Sequence, residues 1–433
     1  MFKKATSKIP PKKNLEKSTK IKKSELTKSI SITLLITTIL ISLILRLVIF
    51  QEEGGDHLIY KKAVLDFCAG ENPYTYTYKS FTNKQANLDR GYAYFPTLLY
   101  ILTFMWKINT ITATEMPTAI LWKIPVLLAD MGIAALLYNY FAKRKKHLLA
   151  TLATSIWLLN PHFLTRYEYT LLDPIQVLFT FLALKSLSKN SYKTGILYAL
   201  AVSTKLIPAI LFPIFFIKTK NKVKFLMVFG LVFLLISLPF LTSRSNIFYY
   251  IQGTFLVHGE RFIQGRPFLS FLTLFTQKAG LSFYQEKFTS LFSKIALLSG
   301  PMLTTILLLK DKNKNKYLLT ATSFALYFLL TPVFNRTHFL WGFPFFLIAL
   351  YRLTKIKKPM WTYVSWGGLY AAFFFYLLFW SKGLKPPSQE HPYVWMDNAD
   401  SLELEWPLKQ RSRQKFYEYR GKFYRWTNRE EKL

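Results

Sequence analysis

Cysteine is almost missing from this chain of 433 residues: Cys68 stands alone, so no intramolecular disulfide can form, and neither a zinc cluster nor a cysteine-rich redox motif can be drawn. Acid is scarce as well, with 23 Asp and Glu against 57 Lys and Arg and a formal net charge of +34. No glycine-rich phosphate loop, no HExxH pair and no serine nucleophile elbow occurs, which removes the soluble-nucleotide and common hydrolase motifs. In a soluble protein so large a positive charge would point to nucleic acid. Here the lysine clusters sit between apolar runs, so they read as topology signals and nucleic acid is not a partner.

What the chain has in abundance is apolar sequence. Half of the residues are hydrophobic and 17% are aromatic, and runs near the length of a bilayer crossing recur along most of it. The expected fold class is an all-α polytopic membrane protein. Residues 1–30 hold ten Lys against two Glu up to Lys28, together with Pro10 and Pro11, and read as a disordered cytoplasmic arm with some attraction for anionic lipid. Ser31 to Phe50 is too long and uninterrupted for a signal-peptide core, so it reads as an uncleaved first span with Arg46 near its outer end.

The positive-inside rule then fixes an expected order. Tyr94 to Trp106 is short and opens on Pro96 and aromatics; if it lies in the interface, Thr118 to Phe141 is the second span and Lys143 to Lys146 falls in the cytoplasm. Further spans are expected at Leu148 to Leu159, Leu172 to Leu187, Phe225 to Leu241, Phe288 to Leu309, Tyr317 to Leu330, Phe339 to Leu350 and Met360 to Phe379. Gly195 to Ile217 has Lys at both ends and Lys205-Leu206-Ile207-Pro208 in its middle, which predicts two half-helices forming a hairpin. The total is about 11 transmembrane helices in a catalytic domain over residues 31–380. Two external loops are large, 51–117 and Thr242 to Lys287, and residues 381–433 form a polar aromatic and basic tail.

Candidate chemistry gathers at the outer ends of these spans. Asp56 leads, because Gly54 and Gly55 allow a sharp turn before a carboxylate placed just beyond the first span. Asp89, Arg90, His162, Arg166, Glu168, Asp173, His258, Glu260, Arg261, Arg266, Arg336 and His338 also flank the span ends. Lys205 lies inside an apolar run, where a charge is costly unless it meets water or a counter-charge, so a functional role outweighs snorkelling. Asp130, also inside a span, reads instead as one half of a structural pair, with Lys123 as its expected partner.

Four blocks occur in one order: Gly55-Asp56 with Asn72-Pro73-Tyr74 and Tyr94-Phe95-Pro96; Trp157 to Pro161 with Arg166 and Asp173; Ala201 to Pro208; and Asn335-Arg336-Thr337-His338-Phe339-Leu340-Trp341. In these the chain resembles integral-membrane glycosyltransferases of the GT-C superfamily that use a polyprenyl-phosphate sugar, in particular glycosyltransferase family 87, related to the catalytic subunit of GPI mannosyltransferase I. The resemblance implies a GT-C-like bundle whose large first extracytoplasmic loop carries interfacial helices and the catalytic acid, which maps onto Asp56. It also implies mannose as the sugar. One departure stands out: the eukaryotic GPI enzyme has an acidic pair of DxD type, and this chain has Gly54 two residues before Asp56.

Direct displacement of a lipid phosphate by an acceptor hydroxyl needs one base, assigned to Asp56, and positive charge at the leaving phosphate. Lys205, Arg336 and Arg166 are the candidates for that charge, and a lone base without a covalent nucleophile predicts inversion at the sugar. His57, Tyr94, His338 and Trp341 are candidates to contact sugar or acceptor. No cofactor is called for and no metal ligands are assigned, while a divalent cation is left open. The partners are the polyprenyl-phosphate donor, a lipid or glycan acceptor and the bilayer. The expected location is a multi-pass cell membrane or endoplasmic reticulum membrane, with the N-terminus cytoplasmic and the active site outside. A transporter or flippase of lipid-linked precursors is the rival reading, although matched halves are not visible in the sequence.

Overall fold

The fold was analysed in a computed structural model that describes residues 12–48, 55–82, 91–114, 116–160, 172–259, 264–265, 286–334, 336–354 and 359–382. It is mostly helical. In chain order the helices are α1 (Lys12–Val48), α2 (Gly55–Cys68), α3 (Pro73–Thr82), α4 (Pro96–Ile111), α5 (Lys123–Ala142), α6 (His147–Leu158), α7 (Asp173–Ser186), α8 (Ser191–Thr204), α9 (Phe212–Lys218), α10 (Lys222–Ser237), α11 (Arg244–Thr254), α12 (Glu286–Lys310), α13 (Lys316–Leu330), α14 (Phe339–Thr354) and α15 (Pro359–Lys382). Among the described residues one parallel pair, β1 (Gln264–Gly265) with β2 (Val333–Phe334), ties the second large loop to the segment before α14.

Among the described residues, four helices are long and apolar enough to cross a membrane: Lys28–Leu47 within α1, α5, α10 with the turn that follows it to Phe240, and Leu291–Lys310 within α12. Their outward faces are apolar: Val223, Met227 and Leu231 on α10 and Leu298, Met302 and Leu309 on α12 are all exposed. Exposed side chains of this kind suit lipid tails and would be a liability in water. Neighbouring helices are joined by small polar side chains instead. The Thr38 and Ser155 hydroxyls lie 2.9 Å apart between α1 and α6, and the Thr151 hydroxyl donates to the Ser31 carbonyl at 2.9 Å.

Two sequence expectations need correction. The basic arm is helical from Lys12 onward, not disordered through Lys28; Leu, Lys and Glu are good helix formers, and an apolar span already supplies the costly nucleus from which the helix extends back to Lys12. Residues 1–11, like the tail beyond Lys382, lie outside the described residues. The partner of Asp130 is Arg46, 3.5 Å away on α1, and not Lys123. Sequence distance concealed that pair.

The expected second span also starts later, with a separate turn over Thr118–Leu121 before α5. Pro125 has no N–H to give the Leu121 carbonyl, so the helix begins anew at Lys123. The same rule shapes the hairpin. Pro208 cannot serve the carbonyl of Thr204, and α8 ends at that residue; Lys205 is then extended at φ −153° and ψ 137° before a 3-10 stretch over Ile207–Leu211 leads into α9. The arms fold back on each other. Tyr198 of α8 stacks on Phe215 of α9 with ring centroids 4.1 Å apart, and at the base Ser191 Oγ accepts from the Asn221 N–H at 3.2 Å.

The helices sort their ends. On one side lie basic connections closed by helix caps from Asn190, Asn221 and Asn315. There Lys218 donates to the Lys312 carbonyl at 2.6 Å, Lys316 to the Leu184 carbonyl, and Arg352 to the Tyr140 hydroxyl at 2.8 Å. The opposite ends of the same helices begin at Asp173 on α7 and near Trp341 on α14, and the hairpin turns at Lys205. Those three residues meet.

Candidate active site

Lys205 is delivered by the helix break. Because its backbone is extended between two helical arms, its side chain leaves the hairpin at the turn, where it remains about one-fifth exposed. Its ammonium lies 2.6 Å from Asp173 Oδ1. Asp173 stands in the first turn of α7 beside Pro174, where a carboxylate suits the positive end of the helix dipole. The same Oδ1 accepts the indole N–H of Trp341 at 2.8 Å. One oxygen therefore takes two bonds, one from a cation and one from a fixed ring.

Aromatic rings surround the pair. The Lys205 ammonium sits 4.5 Å from the Trp341 ring centre and 5.2 Å from that of Tyr94, distances at which a cation is attracted to a ring face. His338 stacks on Trp341 with centroids 4.1 Å apart. Trp341 thus has His338 stacked against its ring, the Lys205 ammonium near its ring centre and Asp173 on its indole N–H. Tyr94 is half-buried and more accessible. Its hydroxyl accepts from that of Tyr60 on α2 at 3.4 Å, and its carbonyl accepts from the Tyr74 hydroxyl on α3 at 2.9 Å.

This links the helix that carries Asp56 to the cluster, since Asp56 lies in the first turn of α2, four residues before Tyr60. Asp56 and Arg336 are described by their backbones alone: Arg336 opens the 3-10 turn that leads to His338. Arg166 lies outside the described residues, as do Asp89, Arg90, His162, Glu168, Glu260, Arg261 and Arg266. His57 packs between α2 and the short turn over Thr118–Leu121 that precedes α5. It is fully buried, its Nε2 lies 2.8 Å from the Thr118 hydroxyl and its ring lies 4.8 Å from that of Trp122. Burial first, then the charges of Lys123 and Lys61, push its pKa down to about 3, so the imidazole is neutral at ordinary pH.

The first loop is built on a floor of tyrosines. Tyr60, Tyr74, Tyr92 and Tyr94 pack ring to ring, with Tyr92 6.0 Å from Tyr74 and 5.6 Å from Tyr94. Burial, and then the neighbouring phenols, raise Tyr74 and Tyr92 well above the ordinary tyrosine range, so both keep their protons. Gly91 is required there because a Cβ would come within 2.5 Å of the Thr77 backbone. Thr97 on α4 meets Ser203 on α8 at 2.6 Å, two residues before Lys205. Together these contacts set the distance between the first loop and the hairpin turn.

No family model, curated protein or solved structure matches the chain. Function is therefore inferred from the residues and their geometry. Sequence reasoning placed Lys205, Tyr94, Trp341 and His338 among the candidates, and the fold brings these four together. Asp173 was noted as a flanking acid without a role, and Tyr60 was not noted as a candidate. The available signals were an acid directly before a proline at a helix start, and a tyrosine one helical turn after Asp56. Among the described residues no group of three or more His, Cys, Asp or Glu is placed to hold a metal ion.

Proposed function

We propose that this chain is an inverting glycosyltransferase that moves a hexose, most plausibly mannose, from a polyprenyl-phosphate donor to a hydroxyl of a lipid- or glycan-linked acceptor. The observation that carries the reading is the meeting of Lys205, Asp173, Trp341 and Tyr94 at the turn of a broken hairpin, joined through Tyr60 to the helix that Asp56 opens. A cation among aromatic rings at a membrane-embedded helix break suits the phosphate of a lipid donor. The resemblance to the GT-C superfamily implies a catalytic acid in the first external loop, at the position of Asp56.

In this reading the acceptor oxygen attacks the anomeric carbon and the bond from that carbon to the phosphate oxygen breaks. The electron pair stays on the phosphate, where Lys205, Arg336 and Arg166 stabilise the charge. The acceptor proton passes to Asp56. The chain crosses the membrane about eleven times, with the basic connections and N-terminus in the cytoplasm and the site on the far side, in the cell membrane or the endoplasmic reticulum.

The test is Asp56→Asn in purified protein supplied with a polyprenyl-phosphate hexose. General-base catalysis commonly contributes on the order of 100-fold to 10,000-fold, so transfer should fall by that order while donor binding survives. Transfer at a near wild-type rate would remove Asp56 from the mechanism. The broken hairpin would also suit a carrier of lipid-linked precursors. Release of free polyprenyl phosphate as a product separates the two, since a carrier breaks no bond.

A further inference from the structure

We propose that Asp173 is a positioning residue of this site: it holds the Lys205 ammonium where the donor phosphate binds, and the indole N–H of Trp341 holds Asp173 in turn. The proposal rests on the reading that Lys205 contacts donor phosphate. It is carried by three contacts that converge on few atoms. Lys205 Nζ lies 2.6 Å from Asp173 Oδ1, Trp341 Nε1 lies 2.8 Å from that same oxygen, and the ammonium lies 4.5 Å from the centre of the Trp341 ring.

A lysine side chain has four rotatable bonds, so an ammonium at the end of a helix can swing between many positions unless a partner holds it. Asp173 is that partner. Its own position is fixed by the start of α7 and by Trp341, which is nearly fully buried under His338. Protein kinases use the same device, a carboxylate on one element holding the phosphate-binding lysine of another, and lose activity when the pair separates. Asp173 also carries a negative charge that opposes phosphate, so its presence beside Lys205 makes sense only if placement of the ammonium is worth more than the repulsion.

The first measurement needs no ligand. Lys205 is modified with a limiting amount of an amine-reactive reagent and the extent at each lysine is read by mass spectrometry, in wild type, Asp173→Asn and Trp341→Phe. Asp173→Asn should raise labelling of Lys205 severalfold, Trp341→Phe should raise it less, and lysines at the other end of the molecule should be unchanged. Unaltered labelling of Lys205 in Asp173→Asn overturns the proposal.

The second measurement is equilibrium binding of a radiolabelled polyprenyl phosphate to wild type, Asp173→Asn, Lys205→Met and the double variant. Loss of the charge-assisted contact should weaken binding about tenfold in Asp173→Asn. In the Lys205→Met background the same substitution should change binding less than about twofold, because an effect that acts through Lys205 vanishes with it. Equal weakening in both backgrounds means that Asp173 acts on its own and overturns the proposal. Failure of wild type to bind polyprenyl phosphate sinks the donor reading and, with it, the placement of a phosphate by Asp173, even if labelling shows the ion pair intact.

Discussion

Arg46 and Asp130 face each other inside the bundle with side chains 2% and 0% exposed, 3.5 Å apart, and Arg46 also donates to the Leu158 carbonyl at 2.9 Å. Removing one member of such a pair leaves a buried charge without its partner, which costs about 3–5 kcal/mol, whereas replacing both by apolar side chains is often neutral. Arg46→Met should therefore lower the thermal unfolding midpoint in detergent sharply, and Arg46→Met with Asp130→Leu should recover most of it. A double variant as unstable as the single one would show that the pair does more than offset its own burial. His57 is the second buried group with a clear signature. Its folded pKa of about 3 lies below the ordinary histidine value of 6.5, so the unfolded chain takes up a proton that the folded one refuses. Its contribution to stability is complete above pH 6.5 and is lost as pH falls towards 3, by up to about tenfold in the folding equilibrium per pH unit. Unfolding midpoints measured from pH 7 to pH 4 should fall less steeply in His57→Gln than in wild type.

At the scale of elements, the hairpin of α8 and α9 depends on two prolines and one tyrosine. Pro208 and Pro213 withhold N–H groups and keep the returning arm from winding as one α-helix, while the Tyr198 hydroxyl donates to the Pro208 carbonyl at 3.1 Å and its ring stacks on Phe215. Tyr198→Phe keeps the stack and removes the bond. The cost should be about 1 kcal/mol, near the usual worth of such a bond within a membrane protein, read as a small drop in midpoint with retained oligomer-free elution. The larger effect should fall on the turn itself, as faster proteolysis or amide exchange around Lys205; exchange unchanged there would show that the turn is held by Asp173 and the Thr97–Ser203 contact instead. The aromatic floor beneath the first loop belongs to the same scale, because α2, α3 and α11 are linked ring to ring from Tyr60 through Tyr92 and Tyr74 to Tyr250 and not through a continuous helix.

For the whole molecule, the separation of basic ends from the Lys205 cluster gives a single prediction about orientation. In a Cys68→Ser background, cysteines placed at Arg144 and Lys314 should react with an impermeant reagent only after the membrane is opened, while those at Asp56 and His258 should react in intact cells. Labelling of position 144 from outside would overturn the proposed orientation and, with it, the proposed placement of the site on the extracytoplasmic face. By itself the sequence determined the helical class and the apolar runs from which the four membrane-length helices form, because such runs between lysine-rich connections leave few alternatives to a helix in a bilayer. It also determined the hairpin break, since Pro208 acts on its own neighbours. Only the tertiary structure decided which charges meet: Arg46 with Asp130 across 84 residues of sequence and Lys205 with Asp173 across 32, with Asp173 Oδ1 as the acceptor that Lys205 and Trp341 share. A helix start or a turn is set by local chemistry, but a pair across helices depends on rotation and depth of packing, which no residue spacing records.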